Sequence, residues 1–299
     1  MKKIEHEFQA ACALIGRPPL LKLINPGTHK LMARWLARRG GVAKPREITL
    51  FFGACMTVVL PEVISEALYT YGVFDEPVTW MAMQAVRPGD VVYDVGAHFG
   101  YFSLLFAHLA APNGRVFSFE PTPSTFAVLK KNVQGNADIT PLNCAAGVSP
   151  GNIDIADFGL RHSAWNTLAP ESRMPGILDT SEARRISVEI VTLDSQVATH
   201  GLHPDFIKID AENFEHAVVS GARNIITQSQ PVILLESGSQ AALEAMLELE
   251  QLGYQTLVSD KLGSLRTWAG GLTEANRIYK DLLFVPRSRM DRFGALLIQ

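Results

Sequence analysis

The chain has 299 residues, 47% of them hydrophobic, and a net charge of −3. That length allows one large domain, or a domain with a small extension, around a sizeable core. The near-balanced charge argues against nucleic acid or an anionic membrane as the main partner. Three scattered cysteines, Cys12, Cys55 and Cys144, exclude a Cys-rich zinc site and fit a reducing, cytoplasmic setting.

Met1 to Gln9 is polar and charged, unlike a signal peptide. The longest apolar stretch near the front, Ile48 to Leu60, is too short for a bilayer span of ~20 residues, so no integral membrane association is expected. Residues 1–46 read as a helical extension, with Phe8, Cys12 and Ile15, then Leu31, Trp35 and Leu36, near helical spacing. Arg17-Pro18-Pro19 and Asn25-Pro26-Gly27 break it into pieces. Residues 47–299 read as the main domain, with a core over 88–240. Glu47 to Leu60 is rich in β-formers with Gly53-Ala54 in the middle, which predicts a hairpin. Glu62 to Ala85 reads as helical, interrupted at Tyr71-Gly72 and at Asp75-Glu76-Pro77.

From Gly89 onward strands and helices alternate. Strands are predicted at 90–95, 115–120, 139–145, 205–210 and 231–236, and helices near 100–110, 123–134, 213–228 and 239–252. The strands are nearly unbroken apolar runs, as expected when both faces are covered. The alternation predicts an α/β fold with a doubly wound Rossmann-like sheet, mostly parallel. Tyr254 to Val258 and Asp281 to Val285 close it as a β-rich tail, with an antiparallel strand near the C-terminus. Residues 148–189 break the pattern as a polar insertion, in which Asn152 to Ala156 suits a short strand. Its His162-Ser163-Ala164-Trp165-Asn166 core suits either a substrate wall or a surface excursion packed through Trp165.

The most informative stretch is Val91 to Tyr101. An apolar run ends in Asp94, Gly96 and Gly100 follow, and a second apolar run begins, which outlines a strand, a tight turn and a helix N-terminus. Such turns hold nucleotide-like ligands. A dinucleotide fingerprint requires a middle glycine, and here that position holds His98. The side chain hinders two phosphates more than a ligand without phosphate, such as S-adenosylmethionine. The acid expected ~20 residues on, to bind ribose hydroxyls, is Glu120, followed by the strand-ending Pro121.

A second constellation is Asp205 to Glu215. Asp210 ends a buried strand, Glu212 lies just beyond, and Glu215 and His216 open the next helix. The following strand ends in Glu236. Strand C-termini converge on the ligand crevice, so Asp94, Glu120, Asp210, Glu212 and Glu236 are expected to crowd one edge. Like charges repel, which points to a cationic ligand, a metal or proton transfer. Lys208 shares a strand face with Asp210 and is expected to neutralise an acid, Asp94 or Glu236.

These motifs together resemble the FkbM-type methyltransferases, which are S-adenosylmethionine-dependent enzymes with a Rossmann-like core. The matching residues are Asp94 to Ser103, Phe119 to Pro123, Leu129 with Asn132, Asp205 to Glu215 and Gln230 to Glu236, with Tyr71 to Pro77 upstream. Ala211 and Asn213 depart from the family's valine and glycine, and asparagine tolerates the left-handed backbone that such a turn uses.

The resemblance implies that Asp94, Gly96, Ala97, His98, Gly100 and Tyr101 shape the cofactor turn, that Glu120 and Pro121 lie at the ribose, and that Cys144 and Ala145 lie near the adenine. Asp210 would sit by the reactive methyl group. The implied activity is methylation of a hydroxyl on a small molecule or sugar. Asp210, Glu212, His216 and His162 are the candidate bases, and His162, Trp165 and Asn166 form the candidate substrate wall. Mg²⁺ would suit the oxygen ligands Asp210 and Glu236. A nicotinamide oxidoreductase and a non-catalytic binding module are the alternatives, and assembly into a homo-oligomer stays open.

Overall fold

The computed structural model describes residues 2–15, 43–165, 183–259 and 264–297. The second helical piece expected in the extension, around Leu31 to Leu36, lies outside them. Helix α1 (Lys2–Ile15) buries Ile4, Phe8 and Ala11 in the main core. The hairpin is β1 (Lys44–Thr49) paired antiparallel with β2 (Cys55–Leu60), so strand begins three residues before the expected boundary. Helix α2 (Val63–Tyr71) is capped by Glu62, whose carboxylate accepts the N–H groups of Ile64 and Ser65 at 2.9 and 2.6 Å. Helix α3 (Glu76–Ala85) opens on Pro77, which lacks the N–H that a first turn leaves unused.

The alternation follows as β3 (Val91–Val95), α4 (Tyr101–Ala110), β4 (Arg115–Phe119), α5 (Pro123–Asn132) and β5 (Ile139–Leu142). After β6 (Ala145–Ala146), β7 (Gly151–Asp157), β8 (Arg184–Val191) and α6 (Leu193–His200), it resumes with β9 (Phe206–Ile209), α7 (Glu215–Ser220), α8 (Arg223–Gln228), β10 (Val232–Glu236) and α9 (Gln240–Gln251). The chain closes through β11 (Tyr254–Val258), β12 (Arg266–Thr267), α10 (Leu272–Ile278) and β13 (Asp281–Pro286). The eight-stranded sheet runs β5-β4-β3-β9-β10-β13-β11-β12. From β5 to β10 every pairing is parallel, and β13 inserts antiparallel between β10 and β11.

The period-two alternation of each strand feeds two cores. Val92, Phe206, Val232 and Leu234 face one side, with α3, α4 and α5; Tyr93, Ile207, Ile233 and Leu235 face the other, with α7, α8 and α9. Asn132 ties α5 to both the hairpin and the turn after β3. Its amide bonds the Thr57 N–H and C=O at 2.7 and 2.8 Å and the Phe99 carbonyl at 2.8 Å.

Three expectations are corrected. The strand expected over 139–145 stops at Leu142, because Asn143 turns its Nδ2 onto the carbonyls of Glu120 and Pro121, and Ala145–Ala146 joins a second sheet. That second sheet, β6-β8-β7, contains the short strand expected at Asn152–Ala156 as β7 and adds β8 at the far end of the insertion, the two forming an antiparallel ladder from Gly151 opposite Ile190 to Asp157 opposite Arg184. The helix expected over 213–228 is two helices parted at Gly221 and Ala222. Helix α6 escapes prediction because it buries only Leu193 and Gln196, too few for a visible helical period. Among the described residues no helix is long and apolar enough to cross a membrane.

Gly221 breaks that helix for a packing reason. A Cβ there would lie 1.9 Å from the Gly147 carbonyl oxygen, so the two backbones cross in direct contact. Overpacking of this kind costs about 1–3 kcal/mol. Gly221→Ala is therefore expected to lower the thermal midpoint by about 2–10 °C, and a melt that matches wild type would refute the crossing.

Candidate functional site

The sheet reverses its strand order between β3 and β9, and the crevice beyond their C-terminal ends is where open α/β sheets hold ligands. The two strands end side by side, with the Asp210 N–H bonded to the Val95 carbonyl at 3.2 Å. Gly96 then turns at φ +77, and a Cβ on it would meet the Asp210 carbonyl oxygen at 1.9 Å. Only glycine lets these two turns touch. The N–H groups of Gly96 and Ala97 both reach the Phe119 carbonyl at 3.0 Å, which folds the turn over the end of β4.

The turns line a crevice that encompasses about 720 Å³ with the open solvent at its mouth. Gly96, His98, Glu120 and Pro121 form one wall, Cys144 and Ala145 the far end, and Asp210 and Glu212 the opposite wall. Ile155, Ser163 and Ala164 of the insertion roof it, together with Ile64.

Glu120 is the fixed point of the first wall. It is buried, and its two oxygens accept the N–H groups of Thr122 at 2.9 Å and His98 at 3.1 Å. Burial pushes its carboxyl up to about 7 despite these bonds. The His98 imidazole lies 2.8 Å from Ser163 Oγ, and burial pushes it down to about 3, so it is neutral.

The second wall is organised by Lys208. Its ammonium is buried, lies 3.1 Å from Asp210 and 3.9 Å from Asp94, and sits over the Phe102 ring at 5.1 Å. Burial would lower its pKa, but the two carboxylates outweigh burial and raise it. Its nearest partner is thus Asp210 rather than Asp94 or Glu236, because the strand period puts Lys208 and Asp210 on one face. Burial likewise opposes ionisation of Asp210, yet Lys208 and a hydrogen bond from Glu236 bring it below the ordinary carboxylate value. Glu236 is pushed up to about 9 by burial and by Asp210. In this pair Asp210 holds the charge and Glu236 the proton. Asp210, Glu212 and Glu236 each bring a carboxylate oxygen within 4.8 Å of the others, a spacing that an ion could bridge.

Not every expected residue faces the cavity. Asp94 is fully buried beneath the turn, where it accepts the Ser103 hydroxyl at 2.6 Å, so it supports the turn rather than meeting a ligand. Ala97, Gly100 and Tyr101 also lie behind the wall, and the Tyr101 hydroxyl pairs with Thr79 at 3.0 Å. His216 points away, at 3.5 and 3.4 Å from Glu244 and Glu248 on α9, because a first-turn position on α7 faces that neighbouring helix. His162 lies on the 3₁₀ segment Leu160–Trp165 but does not line the cavity, which Ser163 and Ala164 do instead. Asn166 and the Trp165 side chain lie outside the described residues.

Sequence reasoning missed Asp281, Lys280 and Asp75. Asp281 stands opposite Glu236 in the β10–β13 register and is pushed up to about 7 by burial and by Asp75. The Lys280 ammonium bonds Asp75 at 2.7 Å, and Asp75 itself is held at φ +47. No local motif announces them, because Asp281 reaches Glu236 only through the antiparallel insertion of β13 and Lys280 meets Asp75 from a segment far along the chain.

The buried Glu120 carboxylate should be visible in stability. Its folded value of about 7 exceeds the ordinary 4.5 of a glutamate, so folding favours the protonated form. Stability from this group is then lost as pH rises, by about 2 kcal/mol between pH 5.5 and 8. Glu120→Gln is expected to flatten that decline in urea melts at the two pH values, and a parallel decline in both proteins would refute the assignment.

A family profile described as the methyltransferase FkbM domain matches residues 94–256. The 31-O-demethyl-FK506 methyltransferase FkbM of Streptomyces tacrolimicus is 32% identical over 163 residues, which cover 46% of this chain and 62% of that protein. Methyltransferase sdnD of Sordaria araneosa is 26% identical over 52% of this chain and 71% of its own length. Among solved structures, a methyltransferase FkbM from Methylobacillus flagellatus aligns with 75% of this chain and 56% of its own at 15% identity and a TM-score of 0.42. The match spans both walls of the cavity and the sheet between them, and the chain belongs to the FkbM methyltransferase family.

Proposed function

We propose that this protein transfers a methyl group from S-adenosylmethionine to a hydroxyl of a small molecule or sugar. The observation that carries the reading is the cavity at the switch point, walled by Glu120 and Gly96 on one side and by the charged Asp210 with Glu212 on the other. The residues present fit that cofactor. Glu120 offers two oxygens to a ribose diol, Gly96 leaves room beside the backbone, and the net negative second wall suits a sulfonium. Bound there, the cofactor supplies an electrophilic methyl on a good leaving group. The FkbM relative is named for a 31-O-demethyl substrate, which supports a hydroxyl acceptor.

The chain's own residues then have three tasks. The turn and Glu120 hold the methyl donor in line, which is most of what a displacement of this kind needs. The roof residues Ile155 and Ala164 keep water out. Asp210, held ionised by Lys208, takes the proton that the acceptor oxygen loses, or Glu212 does so from the same wall. The half-buried imidazole of His98 at the middle position of the turn disfavours a pyrophosphate, and so a nicotinamide cofactor. We place the enzyme in a reducing compartment on its three free thiols.

Isothermal titration is expected to show saturable binding of S-adenosylmethionine and none of NAD; the reverse result would overturn the assignment. In turnover assays read by S-adenosylhomocysteine release, Asp210→Asn is expected to lower kcat about 100-fold or more. A variant within twofold of wild type would remove Asp210 as the base. Lys208 and the shared Asp210–Glu236 proton already neutralise much of the acid trio, so transfer is expected to persist in excess EDTA. Loss of activity that Mg²⁺ restores would instead assign a metal to Asp210, Glu212 and Glu236.

A further inference from the structure

His98 joins the two parts of the cofactor cavity that come from distant stretches of sequence. It sits mid-turn at φ +50, a left-handed conformation that a residue with a Cβ keeps only when its surroundings hold it. In that conformation the backbone N–H points at Glu120 Oε2, 3.1 Å away, while the side chain points at the insertion, with Nε2 2.8 Å from Ser163 Oγ. The ring lies against Phe99, with centroids 4.0 Å apart, which fixes its orientation.

Ser163 is buried on the 3₁₀ segment Leu160–Trp165, and its own backbone-side contact, to the Leu160 carbonyl, is long at 3.3 Å. The segment rests on α2, α5 and β2 and roofs the cavity through Ser163 and Ala164. A neutral imidazole has one donor and one acceptor nitrogen, so it pairs with a hydroxyl in either tautomer.

We propose that Ser163 is a cofactor-positioning residue that acts through His98, latching segment 160–165 over the cavity in step with occupancy at Glu120. The inference rests on the reading that this cavity takes S-adenosylmethionine. A ribose diol bound to Glu120 favours its ionised form, and a charged acceptor strengthens the bond from the His98 N–H. The left-handed turn is thereby held, the imidazole stays aimed at Ser163, and the roof stays down. By linkage, a roof that is tightened by the ligand tightens the ligand by the same factor.

The test uses the full-length protein with S-adenosylhomocysteine as the probe, read by hydrogen–deuterium exchange of a peptide covering 158–165 and by titration calorimetry. In wild type the probe is expected to slow exchange in that peptide. Ser163→Ala is expected to abolish the slowing and to weaken binding roughly five- to tenfold, the range of one lost hydrogen bond. Its KM for S-adenosylmethionine rises by a similar factor while kcat changes less than twofold. Ser163→Thr keeps the hydroxyl and is expected to restore protection and affinity, which a general loss of structure would not allow. Ser163→Ala with wild-type affinity and protection overturns the latch and leaves the cofactor reading standing. Wild-type protein that fails to bind the probe overturns the cofactor reading and the latch together.

Discussion

The buried ammonium of Lys208 is the constraint around which the site is arranged. An isolated charge at this depth, in the central strand of the sheet, is prohibitively costly, so its partners are dictated. Asp94 on the adjacent strand and Asp210 two residues on are those partners, at 3.9 and 3.1 Å. Asp94 in turn accepts Ser103, which sits in the first turn of α4, and this fixes the helix that begins after the turn at Gly96. One cation therefore sets the spacing between the ends of β3 and β9, the placement of α4 and the charge state of Asp210.

The electrostatic consequence is a division of labour among acids that look alike in the sequence. Asp94 is consumed by structure beneath the turn. Asp210 remains ionised because Lys208 outweighs its burial, while Glu236 keeps a proton because Asp210 has the charge. Glu120, remote from that cation, is raised by burial although it accepts the N–H groups of Thr122 and His98. Four strand-ending carboxyls thus reach different protonation states from their surroundings alone, which is the pattern expected where a fold prepares chemistry.

Much of the sheet was legible because its strands are short apolar runs ended by acids or by proline, and the turn after β3 was legible because its glycine spacing acts locally. Asn213 was readable too: it occupies the left-handed position, φ +75, that glycine fills in the family. The misses share a cause. His216 has the right residue type and offset for a base, but the direction of its side chain depends on where α9 packs. Asp281 and Lys280 come beside Glu236 and Asp75 through the β13 insertion, a pairing between segments far apart in the chain. The alternation of Ile153 with Ile155 and of Ile186, Val188 and Ile190 is itself a period-two signal, so β8 was legible and was hidden only by the polar residues around it.

The contact between Gly96 and the Asp210 carbonyl carries a consequence for how such a site can diversify. With no space for even a methyl between them, the turn after β3 and the end of β9 form a single rigid piece. A substitution that shifts one displaces the other, so the crevice floor cannot be reshaped by small adjustments at the sheet edge. The freedom lies in the elements that meet the crevice from above, β7 of the β7–β8 ladder and the 3₁₀ segment that follows it, which can vary in length and charge without touching that joint. Novelty in this architecture is confined to its rim, and the inner edge is held to one solution.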